Sequence, residues 1–218
     1  MSEAVGRREA LATVGKALGG CALAAAMLRK LEAADEPVAG KAAPAAGQEY
    51  KRRKEPDFPT TQNAKDAEAM FGQGFNCAQA VLSCCGKDYG VSREMGCRMG
   101  SAFVGGMGLM GLTCGSVTGA FMLVGMKHAQ LDAKDAAPAG RANRVVREFS
   151  RRWNEMHGSL ACKDLLGYDI STPEGLKAAA ASKVFATRCP IYVRDAAALA
   201  EHLLAQDADT LGADKKGG

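Results

Sequence analysis

Glycine is concentrated in the middle of this 218-residue chain, and this feature limits the folds open to it more than any other. Nine glycines lie between residues 96 and 125, and six of the ten methionines lie between residues 95 and 126. Glycine weakens helices and strands, so such a density needs a packing reason, namely the close approach of backbones or helices. Methionine side chains fill the irregular gaps in such a core. A lone cysteine, Cys114, lies among these glycines in the stretch GLTCGSVTG.

Much of the remaining chain has apolar residues at helical spacing. Residues 67–85 repeat apolar positions with the helical period, after cap-like residues that begin near Thr61. Further helices are predicted from Cys114 onward, over about 140–157, after the stretch TPEG, and from Pro190. Aromatic residues make up only 6% of the chain, and no segment alternates like a strand for long. We therefore predict a single compact all-α domain of about five helices, with the Gly/Met-rich segment at its centre.

The first 36 residues have the features of an export signal. The twin arginines Arg7 and Arg8 precede the apolar run ALGGCALAAAML. This run has the length of a signal-peptide core and is too short for a membrane span. The segment resembles a twin-arginine (Tat) export signal, which predicts a periplasmic protein with no stable membrane span. The alternative is an Ala-rich amphipathic helix at the start of a cytoplasmic protein.

The composition then changes twice along the chain. Residues 37–61 are rich in Ala, Gly, Pro and basic residues without a periodic apolar pattern, which predicts a flexible linker. The helical domain is predicted over residues 62–206, and a polar tail over residues 207–218. Residues 61–218 carry 18 basic and 16 acidic side chains, so the domain lacks the basic surface typical of nucleic-acid binding. We expect no nucleic-acid partner.

Eight cysteines are present, without the local motifs in which cysteines usually work. The chain has no CxxC, CxxCH or HExxH, which excludes the sequence signatures of several common redox, haem and zinc sites. Four cysteines are instead far apart: Cys77 in the first predicted helix, Cys114 in the glycine-rich turn, Cys162 after the third helix, and Cys189 before the last. Their separations are 37, 48 and 27 residues, so only the tertiary fold can gather them.

Five short blocks of sequence around these cysteines resemble a known family. The blocks are FNCAQAVL, VGGMGLMG, TCGSVTGA, LACKDLLG and RCPIYVRDAA, and they occur in the family's order. The family is the redox-active one named for its pattern C_GCAxxG_C_C, and the resemblance covers about residues 65–204. The same framework is similar to part of the split-Soret cytochromes c. This chain lacks their haem-binding motif, so the resemblance implies no haem.

The resemblance implies a redox role and assigns the family's cysteines to the four separated positions. Its central CGAxxG motif falls on Cys114, Gly115, Ser116 and Gly119. Ser116 stands where the family has alanine, which keeps a small side chain and adds a hydroxyl group.

Four thiolates are the usual ligands of iron–sulfur clusters, of both [2Fe–2S] and [4Fe–4S] type. We therefore predict an iron–sulfur protein that relays electrons for a partner oxidoreductase, as an electron-transfer or accessory redox protein rather than an enzyme that turns over a substrate. The Tat route exports proteins that have already folded, and a cofactor inserted before export would require such a route. The predicted ligands are Cys77, Cys114, Cys162 and Cys189, with Gly115 and Gly119 beside the cluster.

Two other uses of the same cysteines stay open. Paired as dithiols and disulfides, they would make a thiol–disulfide redox protein. In that case the dipole of the helix that contains Pro190 is expected to lower the pKa of Cys189. Otherwise the protein is a non-redox helical scaffold whose thiols are inert or hold structural zinc, although zinc sites more often use close CxxC pairs. A homodimer around the glycine-rich face is a further alternative.

Three more cysteines are predicted to be small apolar side chains of the core: Cys84, Cys85 and Cys97. Cys84 and Cys85 follow Cys77 by seven and eight positions, so they share its helical face. An alternative ligand or a resolving thiol is therefore also open at these two positions.

The sequence also predicts where several histidine, aromatic and arginine side chains lie. The histidines are predicted to lie at the surface or at helix ends, with His128 as a remote ligand candidate. Phe149 and Trp153 are predicted to belong to the core. Tyr192 and Arg194 are predicted to help position the site near Cys189.

Overall fold

A computed structural model describes residues 50–211 of the chain. The predicted export signal over residues 1–36, most of the predicted linker and the end of the predicted tail lie outside these residues, and their predictions stay as they are. Within the described residues, no helix is long and apolar enough to cross a membrane.

The described chain is helical, and the prediction of an all-α fold is confirmed. It contains no β-strand over residues 50–211, and its single isolated bridge joins Thr113 to Ala161. Short 3₁₀ turns cover Lys87–Tyr89 and Ser101–Phe103. The α-helices are α1 (Gln62–Gly72), α2 (Cys77–Cys85), α3 (Arg93–Gly100), α4 (Gly115–Lys127), α5 (Ala137–His157), α6 (Cys162–Leu166), α7 (Pro173–Ala181), α8 (Val184–Thr187) and α9 (Cys189–Leu204).

Helix α9 forms the centre of the fold. Ten of its sixteen residues are buried, and it packs against α1, α2, α4 and α5. Four of the buried residues are alanines, whose small side chains allow neighbouring helices to approach closely. The aspartate Asp195 is buried among them, which is unusual for a charged residue.

Helix α5 covers this centre with one apolar face. Val145, Phe149, Trp153 and Met156 follow each other at intervals of three or four residues and are all buried. The rings of Phe149 and Trp153 stack with their centres 5.8 Å apart. Both residues therefore belong to the core, as predicted.

The apolar pattern over residues 67–85 forms two helices where the sequence predicts one. Helix α1 ends at Gly72, and Gly74 then adopts a left-handed conformation with φ of +98°. Asn76 starts α2 with a capping box, because its side chain accepts from Gln79 N and the Gln79 side chain accepts from Asn76 N. Cys77 is consequently the first residue of α2, and not a residue inside the first helix.

The described part of the predicted linker, residues 50–61, lies against the helical domain. Phe58 is buried in the main core, and Arg53 N donates to Met156 O at 2.8 Å. Arg52 forms two hydrogen bonds to the buried carboxylate of Asp195, at 2.5 and 2.8 Å. These contacts fix the segment over one side of α5 and α9.

The beginning of the predicted polar tail also contacts the domain. Ala208 and Leu211 are buried in the core, and Arg144 Nε donates to Ala208 O at 3.0 Å.

Candidate functional site

Each of the four separated cysteines lies at the beginning of a helix. Cys77 opens α2, Cys162 opens α6 and Cys189 opens α9. Cys114 is the residue immediately before α4. The positive ends of the dipoles of three longer helices, α2, α4 and α9, therefore lie next to cysteine side chains.

Two of these helix starts are joined directly by backbone hydrogen bonds. Thr113 and Ala161 form an antiparallel bridge. Beside it, Cys114 N donates to Leu160 O at 2.8 Å, and Cys162 N donates to Leu112 O at 2.6 Å. The bridge thus holds Cys114 and Cys162 side by side, although they are 48 residues apart in the sequence.

Two glycines make room for cysteine side chains. A Cβ at Gly115 would lie 2.5 Å from the sulfur of Cys77, and a Cβ at Gly106 would lie 2.7 Å from Cβ of Cys162. Gly106 also has a φ of +70°, which disfavours other residues. Gly119 has a different environment: a Cβ there would lie 3.2 Å from Ala78 O, so this glycine brings α4 against α2 rather than facing the cysteines.

All four cysteines line one cavity of about 350 Å³. Cys114 and Cys162 are only 5% and 6% exposed, whereas Cys77 and Cys189 are half-buried. Apart from the cysteines, the walls are mostly aromatic and aliphatic side chains, among them Phe71, Phe75, Leu109, Leu165, Phe185 and Tyr192. The fold therefore brings together the four thiols that the sequence separates, in apolar surroundings.

The thiols of Cys77, Cys114 and Cys162 influence one another's pKa values, with Cys114 interacting with both of the others. Hydrogen bonds from Cys162 and Cys77 lower the pKa of Cys114 well below its ordinary value, with a further contribution from the Ser116 hydroxyl, 3.2 Å from the sulfur. The same contacts with Cys114, together with burial, raise the pKa of Cys77 and of Cys162. Negative charge in this group is therefore concentrated on Cys114.

Backbone N–H groups also reach two of the sulfur atoms. The N–H of Ala78 stabilises a charge on Cys77, and the N–H of Ser116 stabilises a charge on Cys114. Both belong to the first turns of helices, where N–H groups have no partner within the helix.

Cys189 does not have the low pKa expected from its helix start. Burial raises its pKa and the charge of Cys114 raises it further, while Arg188 opposes the shift. Desolvation thus exceeds the stabilisation by the dipole and by Arg188. Arg188 itself is buried and donates to the carbonyl oxygens of Leu165 and Leu166, at 3.3 and 3.1 Å.

The seven cysteines of the described residues are free thiols. Over residues 50–211, no group of three or more His, Cys, Asp or Glu side chains is arranged to hold a metal ion.

The other three described cysteines do not line the cavity. Cys85 is buried in the main core, and Cys84 is half-buried with its sulfur 3.9 Å from the sulfur of Met70. Cys97 is half-buried beside the Ser83 hydroxyl, at 3.5 Å.

Of the two residues predicted to help position the site near Cys189, one lines the cavity and the other does not. Tyr192 lines the cavity, and its hydroxyl donates to Leu165 O at 2.9 Å. Arg194 pairs with Glu68 at 3.2 Å and does not line the cavity, and neither does His128, at the end of α4.

Sequence reasoning missed a second buried polar group beside this site. His157 ends α5, as a helix-end histidine should, yet it is only 1% exposed. Its Nδ1 is hydrogen-bonded to the Tyr50 hydroxyl, and its Nε2 faces Asp195. The sequence does contain one indication of this group, because Asp195 is a charged residue within the apolar stretch of the last helix. A buried carboxylate requires a polar partner.

Comparison with known proteins gives a match for most of the helical domain. The model of the family described as "Putative redox-active protein (C_GCAxxG_C_C)" matches residues 75–203, which include all four cavity cysteines. No curated protein matches the chain, and no solved structure does. Because the match extends over more than half of the 218 residues, the chain belongs to the C_GCAxxG_C_C family of redox-active proteins.

Proposed function

We propose that this protein is an electron-transfer protein that binds an iron–sulfur cluster and serves a partner oxidoreductase. The observation that carries the proposal is an apolar cavity lined by four cysteines from four helix starts. The proposed ligands are Cys77, Cys114, Cys162 and Cys189.

The chemistry of the donor set fits such a group. Four cysteine sulfurs are the usual protein ligands of iron–sulfur clusters, and no other side chain with a strong metal-binding group lines this cavity. The cavity that the thiols line has a volume of about 350 Å³, which leaves room for a group larger than a single ion. When bound, the cluster would supply reversible one-electron chemistry.

The surroundings of the thiols support the same assignment. Three helix dipoles and the N–H groups of Ala78 and Ser116 stabilise negative charge on sulfur. The apolar walls lower the local dielectric around the thiols, and this adjusts reduction potentials. Gly115 contributes by allowing the Cys77 sulfur to lie against the start of α4.

A thiol–disulfide protein is the second candidate, and one observation favours it. The thiol of Cys114 interacts with those of Cys77 and Cys162, and its pKa is lowered while theirs are raised. A thiolate next to a thiol is the starting point for disulfide formation. Forming one disulfide from this thiolate and thiol would pass two electrons to an oxidant such as a partner disulfide, which would be reduced to one thiol, taking the released proton, and one thiolate.

Iron and acid-labile sulfide analysis of the full chain, purified without oxygen and with its absorption spectrum recorded, tests the proposal. We expect iron and sulfide in matched amounts, and their loss together in Cys114→Ala. Cys97→Ala is the matched control, because Cys97 lies outside the cavity, and it should retain both. Absence of iron and sulfide from the unaltered chain, with two thiols lost and regained on oxidation and reduction, would replace the cluster by the disulfide chemistry.

A further inference from the structure

The most unusual buried group outside the cysteine site is the imidazole of His157. The Tyr50 hydroxyl is hydrogen-bonded to Nδ1, and the Asp195 carboxylate lies 3.4 Å from Nε2 and favours a proton there, so the hydroxyl donates to Nδ1. The neutral imidazole therefore has its own proton on Nε2. Among the buried side-chain nitrogen and oxygen atoms of residues 50–211, Nε2 of His157 stands alone in lacking a hydrogen-bond partner.

A carboxylate is placed where it can stabilise a positive charge on this imidazole. Oδ2 of Asp195 lies 3.4 Å from Nε2 of His157 without an aligned hydrogen bond. The carboxylate is only 3% exposed, and Arg52 holds it through two hydrogen bonds. The site is therefore built for an imidazole that alternates between neutral and charged forms.

Tyr192 connects this imidazole with the cysteine cavity. Its ring meets the His157 ring edge-on with the centres 5.2 Å apart, and it also lines the cavity. A negative charge on Cys114 would act on His157 as well, because it favours the protonated imidazole. The two groups thus interact electrostatically, and such an interaction is reciprocal.

We propose that His157 takes up a proton when the cysteine cavity gains an electron, so that this imidazole couples the redox state of the site to pH. This inference rests on the proposed redox function and adds to it the uptake of a proton by His157. One electron arrives from a reduced donor protein, which is oxidised by one electron. One proton arrives from solvent at Nδ1 of His157, and the Tyr50 hydroxyl turns from donor to acceptor. The buried net charge then stays the same.

The charged and titratable groups around His157 agree with this direction. Burial lowers the pKa of His157 and is the largest influence; Asp195 raises it, Arg52 lowers it, and Cys114 raises it. Tyr50 and Tyr192 face the ring as neutral phenols, because burial raises the pKa of each. Arg53 lies beside the neighbouring Gly158. Additional negative charge in the cavity therefore acts in the same direction as Cys114 and favours proton uptake.

The first test is the reduction potential of the loaded full chain as a function of pH, between about pH 5 and pH 8. We expect the potential to fall with rising pH, at most about 59 mV per unit, the one-electron equivalent of a tenfold change in proton activity. His157→Gln should remove this dependence. His128→Gln, which changes a histidine away from the cavity, should keep it. A His157→Gln protein with the slope of the unaltered chain would overturn the proposal.

A second test needs neither a cluster nor a substitution at His157. The pKa of the His157 imidazole is measured by NMR in the metal-free full chain, in Cys114→Ala and in Cys97→Ala. Loss of the negative sulfur should lower the pKa in Cys114→Ala and leave it unchanged in Cys97→Ala. Equal values in all three proteins would overturn the coupling, whereas missing iron in the unaltered chain would overturn the cluster alone.

Discussion

Gly115 shows how much depends on single residues in this site. The position of a Cβ at residue 115 lies 2.5 Å from the sulfur of Cys77 and 2.5 Å from Phe103 O. Neither atom is the end of a long flexible chain, so neither can move away cheaply. The glycine of the central motif is therefore required by contact with the first cysteine and not by its own backbone angles.

Gly115→Ala should lower the free energy of unfolding by about 1–3 kcal/mol, the usual range for an overfilled core, and should displace Cys77 from the cavity. Gly125→Ala lies on the same helix α4, where an added Cβ meets no atom within 4 Å. It should be neutral or more stable by up to about 1 kcal/mol, because alanine favours helix. Urea unfolding compares the two, and equal stabilities would contradict this account.

Some properties of the cysteines and glycines in this site could be predicted from the sequence, and others could not. The spacing of Cys77, Cys114, Cys162 and Cys189 indicated that only folding could gather them, and their common cavity agrees with that expectation. The raised pKa of Cys189 was not predictable, because burial there depends on residues from several helices. Likewise, Gly119 looks equivalent to Gly115 in the motif, and only its neighbours distinguish the two.

At the scale of helices, the capping box of α2 fixes the position of Cys77. Besides its bonds within the cap, the Asn76 side chain donates to Gly100 O at 3.0 Å, which ties the start of α2 to the end of α3. Helix α3 has an N-cap of its own, Ser92, whose hydroxyl accepts from Met95 N at 3.1 Å. The two caps are similar, but only the first precedes a cavity cysteine.

Asn76→Ala and Ser92→Ala should each lower the free energy of unfolding by about 1 kcal/mol, the typical value of an N-cap. They should differ in chemistry, since only Asn76→Ala frees the first turn of α2. We expect faster alkylation of Cys77 in Asn76→Ala, followed by mass spectrometry of the Cys77 peptide. The hypothesis fails if Ser92→Ala accelerates the reaction of Cys77 to the same degree.

The helices themselves were predictable where the apolar period was clear. The face of α5 with Phe149 and Trp153, and the start of α1 after Thr61, follow from the sequence. The division between α1 and α2 was harder to recognise, because apolar residues continue through it at nearly helical spacing. The break depends on the left-handed Gly74 and on the cap at Asn76, two local features without an apolar signal.

At the scale of the whole molecule, the segment before α1 is part of the fold. Its Arg52 is the main partner of Asp195, and burial raises the pKa of Asp195 while the nearby His157 imidazole and the hydrogen bonds from Arg52 lower it more strongly. The net pKa lies below its ordinary value, so the carboxylate is ionised in the folded protein. Composition predicted a flexible linker here, because a pattern of basic residues contains no information about a buried acid elsewhere.

Arg52→Ala should lower the free energy of unfolding by about 3–5 kcal/mol, because it leaves a buried carboxylate without its main partner. The matched control is Arg98→Ala, which breaks an ion pair with Glu94 whose two side chains are 77% and 74% exposed. That pair should contribute less than about 1 kcal/mol. Thermal and urea unfolding measure both, and a small effect of Arg52→Ala would mean that residues 50–61 are only loosely attached.

The arrangement of the four helix starts has a consequence for biosynthesis. A ribosome releases the segments with Cys77, Cys114 and Cys162 before the segment with Cys189, the first residue of the central helix. Until that last helix docks, the cavity lacks both its fourth thiol and the side chain of Tyr192. A partly made chain therefore offers three thiols on an open surface, and the proposed iron–sulfur cluster would have its full set of ligands only after the C-terminal helix docks.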